Sequence, residues 1–591
     1  MGVAATIVLG SSTGIANGAG EAEQQPPSET SASDARAAPE AGTGLDEKTK
    51  GQATKSMVAA ANPHAVAAGL EILKVGGSAI DAAIAVQLVL NLVEPQSSGI
   101  GGGAFILHWD EKAKELKTYD GREAAPAAAK PDRFLAPDGE PMAFPKAVHS
   151  GLSIGVPGLV RVLEMAHSRY GKLAWSRLFE PAIRLAEKGF AISRRLNLLL
   201  NWYGAESFGK VARGYFFNED GWARSTGSTL KNPAFANVLK TIAVRGSAAF
   251  YEGDVGADIV GLVRDVPNAP GDMTIDDLKT YRALERPPVC ATYRGYVVCG
   301  MGPPSSGGLT VAQALKLLEP FNLGEAPLNV GAMHLVAEAE RLAFADRNRY
   351  MADADFVSVP SAGLLDDGYV DARRKLIDPE RSMGTAKPGM PPQKSGAVFG
   401  RDATRESAGT SHISIVDGEG NAVSMTTTIE SAFGSRWMTN GFLLNNELTD
   451  FSFRPVDAKG QAIANRVEAG KRPRSSMSPT IIFDPDGRLW ALVGSPGGSR
   501  IILYVIKAIV ALIDWKLDAQ EAAALANFGS RNGPFEAEFG LSAPRMVLHM
   551  TLRGHETKTT LMTSGLHIVV RREGRWEGGA DPRREGVARG E

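Results

Sequence analysis

A glycine followed by a hydroxyl residue, Gly409-Thr410, opens the stretch GTSHISIVDGEGNAVSMTTTIE, residues 409–430. The chemistry this pair could do is attack on a carbonyl carbon. A threonine hydroxyl is a poor nucleophile near neutral pH and needs a base beside it. If the chain is cut in front of Thr410, the freed α-amine of Thr410 can be that base. A single cut between Gly409 and Thr410 would therefore make both nucleophile and activator. The same residues also read as an ordinary hairpin of β-formers with hydrogen-bonded hydroxyls, so the rest of the chain has to decide.

Other chemistry-bearing residues are few. Arg122, in YDGREAAP, offers a planar fork suited to a carboxylate; otherwise it is a solvated turn residue. GIGGGA, Gly99–Ala104, looks like a dinucleotide fingerprint, but a helix precedes it and a strand follows, the reverse of what that motif needs. We expect a tight turn with positive φ there instead. No His/Cys spacing suggests a metal site, and neither a metal nor a cofactor is expected. The chain holds two cysteines, in VCATYRGYVVCG. Counting outward from Arg294-Gly295 as a hairpin tip sets Cys290 opposite Cys299, close enough for a disulfide. The alternative is two half-buried apolar thiols, which we take as the expectation.

Seven blocks then line up in the order of one family. They are EPQSSGIGGGAF (Glu94–Phe105), YDGREAAP (Tyr119–Pro126), MGPPSSGG (Met301–Gly308), TSHISIVD (Thr410–Asp417), FLLNNELTDFS (Phe442–Ser452), KRPRSSMSPT (Lys471–Thr480) and GSPGGSR (Gly494–Arg500). From about Ser56 to near its end, the chain resembles the γ-glutamyltranspeptidase (γ-glutamyltransferase) proenzymes, which are N-terminal-nucleophile hydrolases.

The resemblance implies a role for each matching residue. Thr410 would be the nucleophile and Gly409-Thr410 the self-cleavage site. Thr428 matches a threonine whose hydroxyl touches the nucleophile. Gly497 and Gly498 would give backbone N–H donors to the oxyanion, each typically worth roughly 2.7–4 kcal/mol in a transition state. Arg122, Ser475 and Ser476 match the residues that hold the α-carboxylate of the γ-glutamyl group. Glu447 and Asp450 match positions that hold its ammonium. Glu430 departs from the pattern, standing where the family usually has asparagine. A third carboxylate there would bind the ammonium more strongly, raise a neighbour's pKa, or signal a different acyl donor. No tyrosine lies between Asp450 and Ser475, so the tyrosine-bearing lid of some members is not recognisable and acceptor handling stays open.

These residues need a scaffold. Helical stretches are predicted at Pro63–Lys74, stopped by Gly76-Gly77, and at Ala79–Val93, Gly158–Tyr170, Leu178–Gly189, Thr310–Leu318 and Ala332–Asn348. The last carries apolar residues on one face and charges on the other. Strands are expected at AFILHW, SHISIV, AVSMTTTI, TIIFD and LWALVG. This alternation suggests a layered α+β architecture, which the resemblance makes a four-layer αββα sandwich. The 591 residues, 43% hydrophobic with a net charge of −2, fit a soluble globular protein. No basic excess points to nucleic acid, and no apolar run of membrane-spanning length occurs.

Residues 1–55 are expected to be a disordered tail, too poor in large apolar side chains to offset their ordering entropy. Within them Val3–Gly10 resembles the apolar part of a signal peptide, with Ala16–Ala19 as a cleavage region, though no basic residue precedes it. Family habit implies a periplasmic or secreted protein. The expected division is a large subunit, 56–409, and a small catalytic subunit, 410–591, associated after cleavage. The expected function is a self-processing γ-glutamyl transferase or hydrolase acting on glutathione and related amides, with water, an amino acid or a peptide as acceptor. The alternatives are a related amidase such as a glutaryl or cephalosporin-type acylase, and a catalytically silent binding homologue.

Overall fold

The computed structural model describes residues 45–392, 399–404, 406 and 409–591. Two seven-stranded antiparallel sheets dominate it. We number their strands β1 (Gly51–Ala53), β2 (Met57–Ala60), β3 (Gly103–Asp110), β4 (Glu115–Gly121), β5 (Leu284–Arg286), β6 (Val289–Tyr293), β7 (Tyr296–Gly300), β8 (Gly409–Val416), β9 (Ala422–Glu430), β10 (Thr480–Phe483), β11 (Leu489–Gly494), β12 (His567–Arg572), β13 (Arg575–Ala580) and β14 (Val587–Gly590). The first sheet runs β14-β2-β8-β9-β3-β4-β5 and the second β1-β13-β12-β11-β10-β7-β6.

Side chains alternate across each strand, so one strand can serve two cores. Met57, Ala59, Phe105, Leu107 and Trp109 face the second sheet and join Ile481, Leu492 and Val569. Their neighbours Val58, Ala60, Ala104 and Ile106 face the other way, onto α1 (Pro63–Lys74) and α2 (Ala79–Val93). Beyond the second sheet lie α5 (Gly307–Leu318), α6 (Val330–Tyr350) and α7 (Ile501–Ile513). The result is the expected α+β four-layer αββα sandwich. Helix α3 (Leu159–Tyr170) completes the outer layer on the first sheet, and α4 (Glu180–Lys188) packs on α2.

The helix α2 is buried along its whole length, as its composition implies. Its start is fixed by a reciprocal cap: the Asp81 N–H donates to Ser78 Oγ, and the Ser78 N–H donates to Asp81 Oδ2. By contrast α6 corrects the amphipathic reading. Its charged residues Glu338, Glu340, Arg341, Asp346 and Arg347 are buried as well as its apolar ones. They are tolerated because they pair: Arg341 with Glu338, Arg373 with Asp346, and Arg347 with Glu406.

Three further expectations change. The disordered tail cannot reach residue 55, because Gly51–Ala53 pairs with β13 and Lys50 bridges Asp518 and Glu577; Val3–Gly10 and Ala16–Ala19 lie outside the described residues. The cysteines are not free thiols: Cys290 and Cys299 are bonded to each other. Arg294 and Gly295, with φ of 52° and 81°, make the two-residue turn that sets the pair directly opposite. The glycines of GIGGGA do not take positive φ. They are needed for close approach, since a Cβ on Gly101 would stand 2.1 Å from the Leu443 carbonyl oxygen, and one on Gly102 2.0 Å from that of Thr428.

Gly409-Thr410 does not divide the molecule in space. The first sheet takes β8, β9 and β14 from after that bond and β2 to β5 from before it; the second sheet is mixed in the same way.

Candidate active site

The β8–β9 ladder runs in register from Val416↔Ala422 to Thr410↔Thr428, then slips, so that Gly409 pairs with Glu430 and Ile429 is passed over. This bulge lies at the Gly409-Thr410 bond. Bulges bend a strand and re-aim its groups, and this one requires glycine: a Cβ on Gly409 would stand 2.2 Å from the Glu430 carbonyl oxygen. Glu430 itself turns the chain with φ of 78°. The Thr428 hydroxyl donates to the Gly409 carbonyl oxygen and accepts from the Glu430 N–H at 2.8 Å. The carbonyl next to Thr410 is thus already polarised by a hydroxyl fixed in turn by backbone.

Thr410, 4% exposed, opens on a cavity of about 20 Å³, room for a single water. Thr428 and Glu430 line it from the hairpin, Arg122 from the end of β4, and Glu447 and Asp450 from the turn after Asn446. Ser475, Ser476 and Gly498 close it. Gly409 and Gly497 flank this set. At Gly497 φ is 145°, and a Cβ would stand 2.6 Å from the Tyr504 ring, so glycine is required where the chain turns toward α7.

Arg122 is buried and fully engaged. It donates from Nε to the Pro473 carbonyl at 3.1 Å, from Nη1 to Glu447, and from Nη2 to Asp450 at 2.6 Å and to the Arg474 carbonyl at 2.9 Å. Three carboxyls crowd this one cation, because Glu123 lies 3.9 Å from Nη1. Burial pushes the Glu123 carboxyl up to about 7 against the pull of Arg122. Burial likewise drives Glu447 and Asp450 well above the usual carboxylate range, helped by mutual repulsion and, for Asp450, by the charge of Glu430. The Glu430 carboxylate accepts from the Ser431 hydroxyl at 2.6 Å and the Asn446 amide at 2.7 Å. One guanidinium and four carboxyls, those of Glu123, Glu430, Glu447 and Asp450, thus stand together on this side of Thr410.

The opposite wall is rich in positive charge. Arg347 and Arg474 donate to Glu406 Oε1 at 2.6 and 2.9 Å, and the Ser476 hydroxyl donates to Glu406 Oε2 at 2.5 Å. Burial alone would raise the Glu406 carboxyl, but the two guanidiniums hold it down to about 2.

The chain matches the family model described as gamma-glutamyltranspeptidase over residues 65–591. The chain belongs to the γ-glutamyltranspeptidase family. It is 37% identical over 547 residues to a glutathione hydrolase proenzyme of Bacillus subtilis (strain 168), covering 90% of this chain and 91% of that one. It is 33% identical over 543 residues to an acylase ACY 1 proenzyme of a Pseudomonas species (strain V22), with 89% and 91% covered. Its fold superposes on the crystal structure of a cephalosporin acylase from Bacillus halodurans with a TM-score of 0.81 at 26% identity, covering 93% of this chain and 98% of that one.

In this member of the γ-glutamyltranspeptidase family, sequence reasoning missed Glu123, Arg347, Glu406 and Arg474. Two signals were within reach. Arg474 lies inside KRPRSSMSPT, directly before the serine pair, and Glu406 is an acidic residue four positions ahead of Thr410. Arg347 carried no such signal, being one charge among many on α6. His412, two residues after Thr410, is excluded as the base. Its ring nitrogens contact Thr426 and Ser414 at 2.8 and 3.0 Å, and burial keeps it neutral. His334, Glu338 and His555 hold ligand-type atoms within 4.8 Å of one another. Arg341 already supplies a cation there, 3.0 Å from Glu338 and 3.2 Å from His555, so the group does not fit a metal ion.

Proposed function

We propose that this protein is a self-processing γ-glutamyl transferase or hydrolase with Thr410 as nucleophile. The observation that carries the reading is the β-bulge that sets Thr410 beside a Gly409 carbonyl already accepting a hydrogen bond from Thr428. In processing, Thr410 Oγ attacks the Gly409 carbonyl carbon and its proton passes to the departing nitrogen. The C–N bond breaks, leaving an ester between Gly409 and Thr410 Oγ. Water hydrolyses the ester to the Gly409 carboxylate and a free Thr410 with its α-amine. In turnover the α-amine takes the hydroxyl proton as Oγ attacks the γ-amide carbonyl of the donor, and returns it to the leaving amine. Gly497 and Gly498 supply N–H donors to the oxyanion. Water or an amine acceptor then resolves the γ-glutamyl ester.

The donor's ammonium is held by Asp450, Glu447 and Glu430. Arg122 fixes Glu447 and Asp450, and Ser475 and Ser476 face the donor's carboxylate. Glutathione and related γ-glutamyl amides are the donor class, in keeping with the glutathione hydrolase relative. The acylase relatives favour a second reading, a glutaryl-type amide donor, but the carboxyl cluster argues for a substrate that brings an ammonium. The Cys290–Cys299 disulfide supports export to the periplasm or the exterior, where such bonds persist. Among the described residues no helix is long and apolar enough to cross a membrane.

The test is a denaturing gel with N-terminal sequencing, together with an anilide assay. Wild type should give two pieces, the smaller starting at Thr410, and release γ-glutamyl groups faster than glutaryl groups. Thr410→Ala should remain one inactive chain. A small piece with another N-terminus rules out Thr410.

A further inference from the structure

The start of β8 is held differently on its two edges. On the β9 edge the Thr428 hydroxyl donates to the Gly409 carbonyl. On the other edge the ladder with β2 runs from Val416 back to Ile413 and stops. Among the described residues, 410–412 are therefore laddered to β9 alone. A side chain takes over where β2 ends. Arg584 comes from the loop leading into β14, the strand beyond β2. It is buried, at 1% exposure, and donates from Nη1 to the Thr410 carbonyl at 3.5 Å and from Nη2 to the Thr563 carbonyl at 3.4 Å.

The loop 563–566 that Arg584 reaches is itself fixed. The Ser564 hydroxyl and the Leu566 N–H donate to Asp581 Oδ2, and the Gly565 N–H donates to Ser495 Oγ at 3.1 Å. Ser495 opens the turn to Gly497 and Gly498. Glycine is required at 565, because a Cβ there would stand 2.8 Å from Arg584 Cδ and 2.6 Å from Pro496 Cγ. Arg584 thus lies between the strand that carries Thr410 and the loop that offers the oxyanion donors. It does not line the Thr410 cavity, so its effect on the reaction has to pass through the groups it holds.

We propose that Arg584 is a positioning residue for the reaction of Thr410: it ties the Thr410 carbonyl to the loop behind the oxyanion donors and keeps nucleophile and donors in one frame once the chain is cut. This rests on the reading of Thr410 as the nucleophile and deepens it. In the whole chain Thr410 is held through both of its peptide bonds. A cut before it removes the one to Gly409, and chain ends fray unless tied down. Oγ must nonetheless stay about 3–3.5 Å from the carbonyl carbon it attacks, with the oxyanion aimed at its N–H donors. Arg584 supplies at Thr410 what β2 supplies further along β8, a donor on that edge, and a charged donor is stronger than an amide. Its planar fork reaches two carbonyls at once, which the point charge of a lysine does not reproduce.

The test is Arg584→Lys in the full chain, which keeps the buried charge and loses the fork. Three quantities are read: the rate of self-cleavage on a denaturing gel, kcat and KM for a γ-glutamyl anilide in the fully cut protein, and Tm. Self-cleavage and kcat should each fall at least about tenfold, since a misplacement of about 1 Å can cost a hundredfold. KM should stay within about twofold, and Tm close to that of wild type. A merely structural residue would instead lower Tm and leave the turnover of the folded protein unchanged. Wild-type self-cleavage and kcat in the variant overturn the proposal. So does a raised KM at unchanged kcat, which would put Arg584 among the donor-binding groups, and so does a variant that does not fold. Failure of the γ-glutamyl reading looks different: wild type is then cut yet releases no γ-glutamyl group, and the self-cleavage rate of Arg584→Lys still tests the contact.

Discussion

At the scale of single residues the site is a problem of charge placed out of water. Three carboxyls share Arg122 on one wall, and two guanidiniums share Glu406 on the other. Such groups are stable only when matched, and removing one partner costs more than the pair gains. Glu430 is the informative residue because it acts on a neighbour without bonding to Arg122. Burial is the first cause of the raised Asp450 pKa, and the charge of Glu430 is the second. Replacing Glu430 by asparagine removes that charge, so the Asp450 pKa falls back toward its ordinary value. Ionised Asp450 is the form that binds an ammonium. The acid limb of kcat/KM for a γ-glutamyl anilide should therefore move to lower pH. A pH profile of wild type and Glu430→Asn measures this, and an unmoved limb takes Asp450 out of ammonium binding.

At the scale of elements, glycine decides how closely β3, β9 and the Leu443 segment approach. A methyl group on Gly102 would stand 2.0 Å from the carbonyl oxygen of Thr428, the residue whose hydroxyl donates to the Gly409 carbonyl. Gly102→Ala should therefore destabilise by about 1–3 kcal/mol through overpacking and leave uncut chain on a denaturing gel at times when wild type is fully processed. The β6–β7 hairpin offers a contrasting case. It is the edge of the second sheet and none of its residues lines the Thr410 cavity. Cys290→Ser/Cys299→Ser should cost about 2–3 kcal/mol, as expected for a short closed loop, visible as a lower Tm. Processing and KM should be unchanged.

At the scale of the molecule, a cut before Thr410 would produce two chains but no separable bodies. β8 pairs with β2, and β9 with β3, across that bond. In the second sheet β10 pairs with β7 and β13 with β1. Separating the pieces would expose the whole sheet-to-sheet core. The processed protein should elute from a sizing column as one particle in high salt, which screens surface charge but not apolar burial, and should part only in denaturant. Pieces that separate in native buffer would contradict the interleaved sheets.

The sequence by itself determined which elements form and which residues could react. Helix α2 and the strands β3, β8, β9, β10 and β11 follow from local pattern: unbroken apolar runs, alternation and β-branched threonines. The motif blocks and the resemblance they carry named Thr410, Thr428, Glu430, Arg122, Glu447, Asp450, Ser475, Ser476 and Gly498, and these gather around one cavity. What it could not fix is who pairs with whom, since pairing depends on residues brought together from distant parts of the chain. That Cys290 and Cys299 bond, that the glycines at 101 and 102 serve close approach, and that α6 buries its charges all require knowing what lies opposite. So does the division of labour among the arginines. Arg122 looks free in sequence and is saturated in the fold, whereas Arg347 looks like one more helical surface charge and sits at the site. Buried charge is settled by its partners, and only the tertiary structure names them.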